Sequence, residues 1–335
     1  MLHFALYTFV TGESITPGAT GKKQLSGLFL TVLAAGIILA GAWTAVGAEP
    51  IATRHYFMAR WGRYFMKNWT RAFALLAVAA LGACTTVNTT AAGAVGIARQ
   101  QSFLVSAEAV QSAAGEAYAK TLTEGRGKGA LNNKPVMLAR VQAISRRLIA
   151  QVGVFRPDAP GWKWEINVMD TPEINAWCMA GGKIMVYWGL IDKLKPTDAE
   201  LAALLGHEIA HALREHTREA VSRSVGQQLV LAGLAAAAGA SQSTVQIANA
   251  VAQVTYTLPH GRDQETEADR IGLELIARAG YEPRAAVTFF QKLARAAPST
   301  GPSFLSTHPQ SEARAVDLQS YIAKVQPLYD ASAKP

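Results

Sequence analysis

Three histidines and three glutamates fall within thirteen residues, in the stretch "HEIAHALREHTRE" that starts at His207. A helix advances about 100° and 1.5 Å per residue, so His207 and His211 lie roughly 40° and 6 Å apart and both imidazoles can reach one ion. Glu208 lies beside them, at the edge of that face. His216 falls about 180° from His207, and Glu215 about 12 Å along the axis from it, so neither is expected to share the ion. The helix therefore offers two metal ligands and one carboxylate.

The spacing His-Glu-x-x-His is typical of zinc-dependent hydrolases, in which the two histidines bind the metal and the glutamate is the general base. The alternative is a pair of surface histidines on an amphipathic helix. The preceding residues favour a real helix, because Thr197 can cap its start and Glu200, three residues on, completes a capping box. Gly206, directly before the first histidine, leaves room for close packing around a metal.

A second acidic segment could complete the site. The stretch "RDQETEADRIGLELIARAGYEP" predicts a helix that is ended by Gly280. Glu265 and Asp269 share one face of it, whereas Glu267 is out of phase with them. A catalytic zinc usually has three protein ligands and one open position, so Glu265 could be the third ligand. Asp269 could accept a hydrogen bond from a ligand imidazole and fix its tautomer. The alternative is a solvated acidic face of this helix.

Two stretches upstream predict strands. In "WKWEINVMD", apolar and polar residues alternate, which is typical of a half-buried strand. The stretch "NAWCMAGGKIMVYWGL" predicts a hairpin that turns at Gly181 and Gly182. Its second arm comes shortly before the metal helix, so we expect an edge strand along the cleft that binds an extended peptide through main-chain hydrogen bonds. That arm comprises Lys183, Ile184, Met185, Val186 and Tyr187. A plain structural hairpin is the alternative.

Four motifs, "HEIAH", "ETEADRIG", "AGYEP" and "STHPQSEAR", resemble those of the HtpX-like and CAAX-prenyl-protease-like zinc metallopeptidases, which form metallopeptidase family forty-eight. The similarity extends from about Val136 to Tyr321 and points to the bacterial periplasmic lipoprotein members. It implies an α+β, mainly α, gluzincin-like domain with a small β-sheet whose edge strand borders the zinc cleft. It also implies one zinc per chain. In that family pattern His207, His211 and Glu265 are the ligands, Glu208 is the general base, and Asp269 is the carboxylate that supports a ligand imidazole.

The same resemblance implies roles for His308 and Arg314 in "THPQSEAR". In some relatives this histidine lies near the scissile carbonyl and stabilises the oxyanion, and in others it occupies the open zinc position and silences the enzyme. Arg314 is a second candidate for stabilising the oxyanion, and a purely structural His308 is the third alternative. The chain departs from the family in "LPHGRDQE", where His260 and Gly261 replace the usual Tyr-Ser, so His260 is an additional candidate near the site.

The net charge of +8 does not indicate a nucleic-acid partner. Residues 1–83 carry seven Lys or Arg and two Glu, a balance of +5, and the remainder carries 25 basic against 22 acidic residues, a balance of +3. Neither part has a Lys/Arg run of the kind that follows a phosphate backbone. We therefore attribute the basicity to targeting.

The N-terminal region has two apolar stretches. The first, Leu25 to Val46, is long enough to span a bilayer. The second follows Lys67 and Arg71 and ends in "LGAC", which resembles a bacterial lipoprotein cleavage box with Cys84 as the acylated first residue. The alternative for Cys84 is an ordinary buried cysteine. Because no Asp follows it, the resemblance favours the periplasmic face of the outer membrane, with the inner membrane as the alternative.

These signals divide the chain into five predicted parts. They are an untranslated or non-native extension (1–65, with Met58 or Met66 as the true start), a lipoprotein-type signal peptide (66–83), a lipid-anchored tether with an N-terminal helix (84–133), a zinc metallopeptidase domain (134–325) and a tail (326–335). The Ala-rich run between the two metal helices is too short to span a membrane.

The sequence thus predicts a zinc-dependent endopeptidase of the bacterial cell envelope. Its expected partners are misfolded or unassembled envelope proteins, as substrates, and a membrane reached through the lipid anchor. A rival hypothesis is an assembly factor or chaperone whose zinc site is occluded by His308 and seldom cuts. A purely structural zinc site is disfavoured, because a closed site has no need of Glu208.

Overall fold

The computed structural model describes residues 85–233, 244–296, 304–309 and 312–335. The apolar stretch Leu25 to Val46, the predicted signal peptide and the predicted lipidation site Cys84 lie outside these residues. Among the helices of the described part, none combines the length and the apolar character needed to cross a bilayer.

The described residues form a mainly helical α+β domain, as predicted. The strands are β1 (Thr85–Val87), β2 (Gln101–Phe103), β3 (Glu165–Met169), β4 (Ala176–Met179) and β5 (Lys183–Tyr187). The helices are α1 (Ala107–Gly127), α2 (Pro135–Ile149), α3 (Trp188–Leu194), α4 (Asp198–Leu213), α5 (His216–Gly233), α6 (Thr244–Tyr256), α7 (Arg262–Arg278), α8 (Arg284–Ala296), α9 (Phe304–Thr307) and α10 (Glu312–Ala331).

The central sheet has three strands in the order β3-β5-β4, with β5 parallel to β3 and antiparallel to β4. The predicted hairpin is confirmed: Gly181 and Gly182 turn with φ values of 78° and 82°, a region that glycine adopts without strain. The prediction that Lys183–Tyr187 is an edge strand is wrong, because β5 is paired on both sides. Its apolar residues are buried on both faces of the sheet, as is typical of a central strand. Among the described strands, β3 and β4 take the two edge positions of this sheet.

The two faces of the sheet belong to two apolar clusters. Ile184 and Val186 point into the larger one, which also contains apolar residues of α2, α4, α7, α8 and α10. Met185 and Trp177 point to the opposite face, into a smaller cluster with residues of α1, α5 and α6. This alternation follows from the period of two along a strand. Helix α4, which carries HEIAH, therefore packs against the face of the sheet that bears Ile184 and Val186.

Helix α4 begins as its sequence predicts. The Thr197 hydroxyl accepts from the Glu200 backbone N–H at 3.2 Å, and the Glu200 carboxylate accepts from the Thr197 N–H at 2.9 Å. Further along, α4 crosses α7 where Gly206 meets Gly272. A Cβ added at Gly272 would lie only 2.8 Å from the His207 backbone N. Two glycines therefore let the backbones of the two motif-bearing helices touch, which sets the acidic face of α7 against the histidines of α4.

We predict that Gly272→Ala destabilises the fold and weakens zinc binding together. The added methyl group must push the two helices apart, and overpacking of this kind costs about 1 to 3 kcal/mol. Chemical denaturation and competitive zinc titration measure the two effects. The matched control is Gly115→Ala in α1, where an added Cβ meets nothing within 4 Å and helix propensity favours Ala. Wild-type stability and zinc affinity in Gly272→Ala would contradict the helix-contact argument.

The segment after Cys84 differs from the predicted tether. Strand β1 pairs with β2, the Ala91 N–H donates to the Phe155 carbonyl at 2.7 Å, and Val95 and Ile97 are buried. Small residues let this run lie close to the domain: at Gly93, with φ of 62°, an added Cβ would fall 2.6 Å from the Phe155 ring. The run therefore packs onto the domain. The predicted N-terminal helix is α1.

The predicted tail is also partly wrong. Helix α10 continues to Ala331, past Pro327, instead of ending near residue 325. The reason is an apolar stripe at helical spacing: Leu318, Ile322 and Val325 are buried, and Tyr329 packs against the same core.

Candidate metal centre

Four side chains from three segments converge on one buried point. They are His207 and His211 of α4, Glu265 of α7 and His308, which follows α9; their ligand atoms all lie within 4.8 Å of one another. The Nε2 atoms of His207 and His211 are 3.1 Å apart. Glu265 oxygens lie 3.7 Å from His207 Nε2 and 3.3 Å from His211 Nε2. The structure thus brings together the three predicted ligands and adds His308 as a fourth.

The donor set fits a zinc ion. Burial lowers the pKa of His207, and lowers that of His211 well below its usual value, so both imidazoles are neutral as metal ligation requires. Burial raises the pKa of Glu265 to about 8, against the lowering effect of Arg314. Glu265 Oε1 and His308 Nε2 are buried without a hydrogen-bond partner. A cation at this point would satisfy both orphaned atoms.

Asp269 lies behind His207, as predicted. Its Oδ1 is 3.0 Å from His207 Nδ1, which leaves Nε2 directed at the cluster. Contacts with His207 and Arg314 lower the pKa of Asp269 although it is fully buried. A carboxylate can only accept here, so the ring proton of His207 is held on Nδ1 and the lone pair on Nε2.

Arg314 does not take the position expected of an oxyanion donor. Its Nε and Nη2 donate to both oxygens of Asp269 at 2.7 and 2.8 Å, and its Nη1 lies 2.7 Å from Glu265 Oε2. Nη1 also donates to the Pro309 carbonyl at 2.6 Å. These contacts correct the sequence-based assignment. They make Arg314 the clamp that links the ligand Glu265, the acid Asp269 and the segment that carries His308.

We predict that Arg314→Ala lowers zinc affinity and stability, instead of affecting turnover alone. Removing one partner of a buried charge pair costs about 3 to 5 kcal/mol, because Asp269 stays buried without its counter-charge. Arg270→Ala is a matched control, since Arg270 links the same two helices through Asp317 at 2.8 and 2.5 Å but is partly exposed. We expect less than about 1 kcal/mol there. Equal zinc affinity and unfolding free energy in the two variants would contradict the clamp.

His308 reaches the cluster with a defined tautomer. Its Nδ1 lies 3.2 Å from the Phe304 carbonyl and 2.9 Å from the Thr307 hydroxyl. The carbonyl can only accept, so the proton is on Nδ1 and the Nε2 lone pair faces the other ligands. Nε2 is 3.4 Å from Glu208 Oε1. In this arrangement His308 is suited to bind a metal, and it has no Nε2–H to donate.

Glu208 lies at the boundary between the cluster and the sheet. Burial, and then the charge of Glu265, raise its pKa well above the usual range, and a hydrogen bond from the Cys178 backbone acts in the opposite direction. Cys178 is in β4, so the edge strand that borders the cleft is β4. The strand predicted to border the cleft, Lys183–Tyr187, is instead the central strand of the sheet.

His260 also packs into the site. Its ring centroid is 4.2 Å from that of His211 and 5.0 Å from that of His308, and its backbone N–H donates to the Thr307 carbonyl at 2.9 Å. Burial lowers its pKa to about 3. Together with the segment 304–309 it covers the metal cluster, whose side chains are at most 3% exposed.

Comparison with known proteins assigns the domain. Residues 135–322 match the model of peptidase family M48. The chain belongs to this family. The M48 domain is therefore a metalloendopeptidase domain that uses zinc, and the predicted relationship to family forty-eight is confirmed.

Curated relatives come from mitochondria and from bacteria. The mitochondrial metalloendopeptidase OMA1 of Arabidopsis thaliana is 37% identical over 157 residues, 46% of this chain and 30% of the relative. In Escherichia coli K12, the beta-barrel assembly-enhancing protease is 26% identical (64% of this chain, 44% of the relative), and the metalloprotease LoiP is 28% identical (64% and 84%). The chain spans less than two thirds of the OMA1 proteins it matches.

Two residues that the sequence analysis set aside, His216 and Glu267, lie next to the metal cluster. His216 Nδ1 lies 2.9 Å from His211 Nδ1, and its Nε2 lies 3.1 Å from Glu267 Oε2. The helical projection placed His216 on the opposite face because it assumed one continuous helix. The helix instead breaks at Glu215, with φ of 51°, so α5 starts in a new direction at His216. The sequence "LREHT" carries no glycine or proline that signals this break.

Proposed function

We propose that this chain is a zinc endopeptidase of the bacterial cell envelope that cleaves misfolded or unassembled envelope proteins. The observation that carries the proposal is a buried carboxylate beside the metal cluster of His207, His211, Glu265 and His308: Glu208 Oε1 lies 3.4 Å from His308 Nε2. A structural zinc site would have no use for a carboxylate beside its ligands. The name of one E. coli relative connects it with β-barrel assembly, which supports envelope proteins as the substrate class.

In the proposed mechanism, His207, His211 and Glu265 hold the zinc, Asp269 fixes the His207 ring, and Arg314 fixes the two carboxylates. When bound, zinc supplies Lewis-acid polarisation of the scissile carbonyl and a lowered pKa of water. Glu208 takes the proton of the attacking water and then passes it to the leaving amine.

The substrate is proposed to bind as an additional strand along β4. Main-chain hydrogen bonds to an edge strand hold any extended peptide, which suits a protease for unfolded chains. The Cys178 N–H faces Glu208, so a peptide on this edge would pass the base. Beside the strand, the carbonyl of Ile174 is already taken by the Phe304 N–H at 2.8 Å. The segment 304–309 must therefore move before a substrate can pair with the whole edge.

The described conformation supports a closed resting state. The side chains of the metal cluster are at most 3% exposed. His308 meanwhile directs its lone pair at the metal position. These features also favour the second candidate function, an assembly factor or chaperone whose site seldom cuts.

Lipid anchoring at Cys84 completes the proposal. The basic residues before the apolar stretch and the ending "LGAC" support it. Because the relatives include both mitochondrial and bacterial proteins, the bacterial envelope is inferred from this N-terminal signal. Mass spectrometry of the mature N-terminus should detect acyl chains on Cys84, and a Cys84→Ala form still cleaved and acylated at the same bond would contradict the anchor.

The two candidate functions differ in cells. In bacteria that lack the native gene, wild type should restore removal of unassembled envelope proteins, whereas Glu208→Gln should fail and accumulate them as bound substrates. Glu200→Gln is the control, since Glu200 lies on the same helix at its capping end. Quantitative proteomics of the envelope measures the result. Full restoration by Glu208→Gln would reject the protease and favour the assembly factor.

A further inference from the structure

The two histidine ligands on α4 are supported differently. His207 Nδ1 meets the carboxylate of Asp269 directly, at 3.0 Å. His211 Nδ1 instead meets another imidazole, that of His216, at 2.9 Å, and His216 Nε2 meets Glu267 at 3.1 Å. The second ligand is thus supported through a chain of two side chains, both of them buried.

The hydrogen-bond directions in this chain are determined by its two ends. His211 turns its Nε2 to the metal cluster, so its proton must be on Nδ1. His216 Nδ1 must then accept, which places the proton of His216 on Nε2. That proton points at Glu267 Oε2, and an ionised carboxylate can only accept. Every donor therefore meets an acceptor when His211 binds a metal through Nε2.

Glu267 is itself held in place by two arginines. Arg214 Nε donates to its Oε2 at 2.9 Å, and Arg99 donates to both oxygens, at 2.6 and 3.2 Å. Arg99 comes from the segment just before β2, which the sequence had predicted to be outside the domain. Gln264 donates to the backbone carbonyl of His216 at 3.3 Å. These contacts leave His216 little freedom to turn its ring.

We propose that His216 and Glu267 are positioning residues that hold His211 in the tautomer and orientation needed to bind zinc. The inference rests on the proposed function, because it requires the zinc site. It goes beyond it by extending the site to the start of α5. A buried histidine that only fills space would contribute to folding in the same way with or without metal. A positioning residue would act on the bound metal as well.

The test measures zinc dissociation from the purified zinc-loaded full chain into a chromogenic chelator. His216→Ala should release zinc about 10- to 100-fold faster, the effect typical of groups that support a metal ligand. His216→Gln should recover part of that loss, since its amide offers both an acceptor and a donor. Glu267→Gln, which keeps the shape of the side chain, should accelerate release by a smaller factor. This variant tests the inference even if His216→Ala does not fold.

Arg156→Ala is the matched control. Arg156 supports the same α4–α5 junction through the Leu213 carbonyl at 3.3 Å and Glu215 at 2.5 Å, but does not touch the His216–Glu267 chain. We expect it to lower the unfolding midpoint of the metal-free protein without faster zinc release. Equal release rates in wild type, His216→Ala and Glu267→Gln would overturn the inference alone. Failure of wild type to bind stoichiometric zinc would instead overturn the proposed function, and the inference with it.

Discussion

Glu208→Gln is expected to keep one zinc per chain while losing cleavage of an unfolded protein by about a hundred- to ten-thousandfold. The size of the loss is that of removing a general base from a hydrolytic reaction. Zinc should stay because the predicted ligand atoms belong to His207, His211 and Glu265, whereas Glu208 is the proposed base and its Oε1 lies 3.4 Å from His308 Nε2. Elemental analysis and digestion of reduced casein measure the two results.

The controls separate chemistry from folding. Glu200→Gln changes the same residue type on the same helix, two turns before the site, and should keep nearly full cleavage. His207→Ala with His211→Ala should lose both zinc and cleavage. Equal digestion by wild type and Glu208→Gln, at equal zinc content, would refute the proposed role of Glu208. Stoichiometric zinc in the double His variant would refute the ligand assignment.

Local sequence patterns predicted the elements that carry these residues. The capping box at Thr197, the glycine turn of the hairpin and the acidic face of α7 each depend on neighbours within a few positions. Their geometry follows from standard helix and turn rules. For the same reason the sequence could predict that Glu265 and Asp269 share a face, and the structure brings that face to His207.

The features that the sequence did not predict depend on contacts between residues that are far apart in the chain. The pairing of β3 with β5 joins residues 165 and 183, and nothing in the hairpin sequence says that a third strand covers its second arm. Arg314 is 45 residues from Asp269, so a charge pair between them cannot be distinguished from an oxyanion donor by spacing. The turn at Glu215 needs a positive φ from a residue that rarely adopts it, and this strain is visible only in three dimensions.

For His308, the structure favours one of the three roles that the sequence left open. Its Nδ1–H points at the Phe304 carbonyl, and its ring stacks on Phe304 at 4.1 Å between centroids with an angle of 10°. The Nε2 lone pair is therefore available to a metal, and an oxyanion would need a hydrogen-bond donor at that atom. The geometry favours a plug, in which an intramolecular ligand competes with water and substrate.

His308→Ala is accordingly expected to raise basal cleavage of unfolded protein by about tenfold or more. If the open state is populated at 10% or less in wild type, only that fraction of the protein can bind substrate. Removing the ligand that stabilises the closed state makes most of the protein able to bind. His308→Phe should also raise cleavage, by a smaller factor, because a phenyl ring can keep the stacking on Phe304 but cannot bind zinc. Initial rates on reduced casein, with zinc content verified, give the comparison.

Three outcomes distinguish the roles of His308. Faster cleavage in both variants, abolished when Glu208→Gln is added, identifies a plug acting on the same site. Turnover lower by roughly ten- to a thousandfold in both variants would show that His308 donates to the oxyanion after the segment 304–309 moves, and would reject the plug. Unchanged cleavage would leave His308 a structural residue.

Arg314 links the plug to the metal ligands. It donates to the carbonyl of Pro309, directly after His308, and it also contacts Asp269 and Glu265. Opening of the plug must therefore either break the hydrogen bond to Pro309 or move Arg314 away from the two carboxylates. Plug opening and ligand geometry are therefore coupled, and Arg314→Ala should raise basal cleavage only where enough zinc is supplied to refill the weakened site.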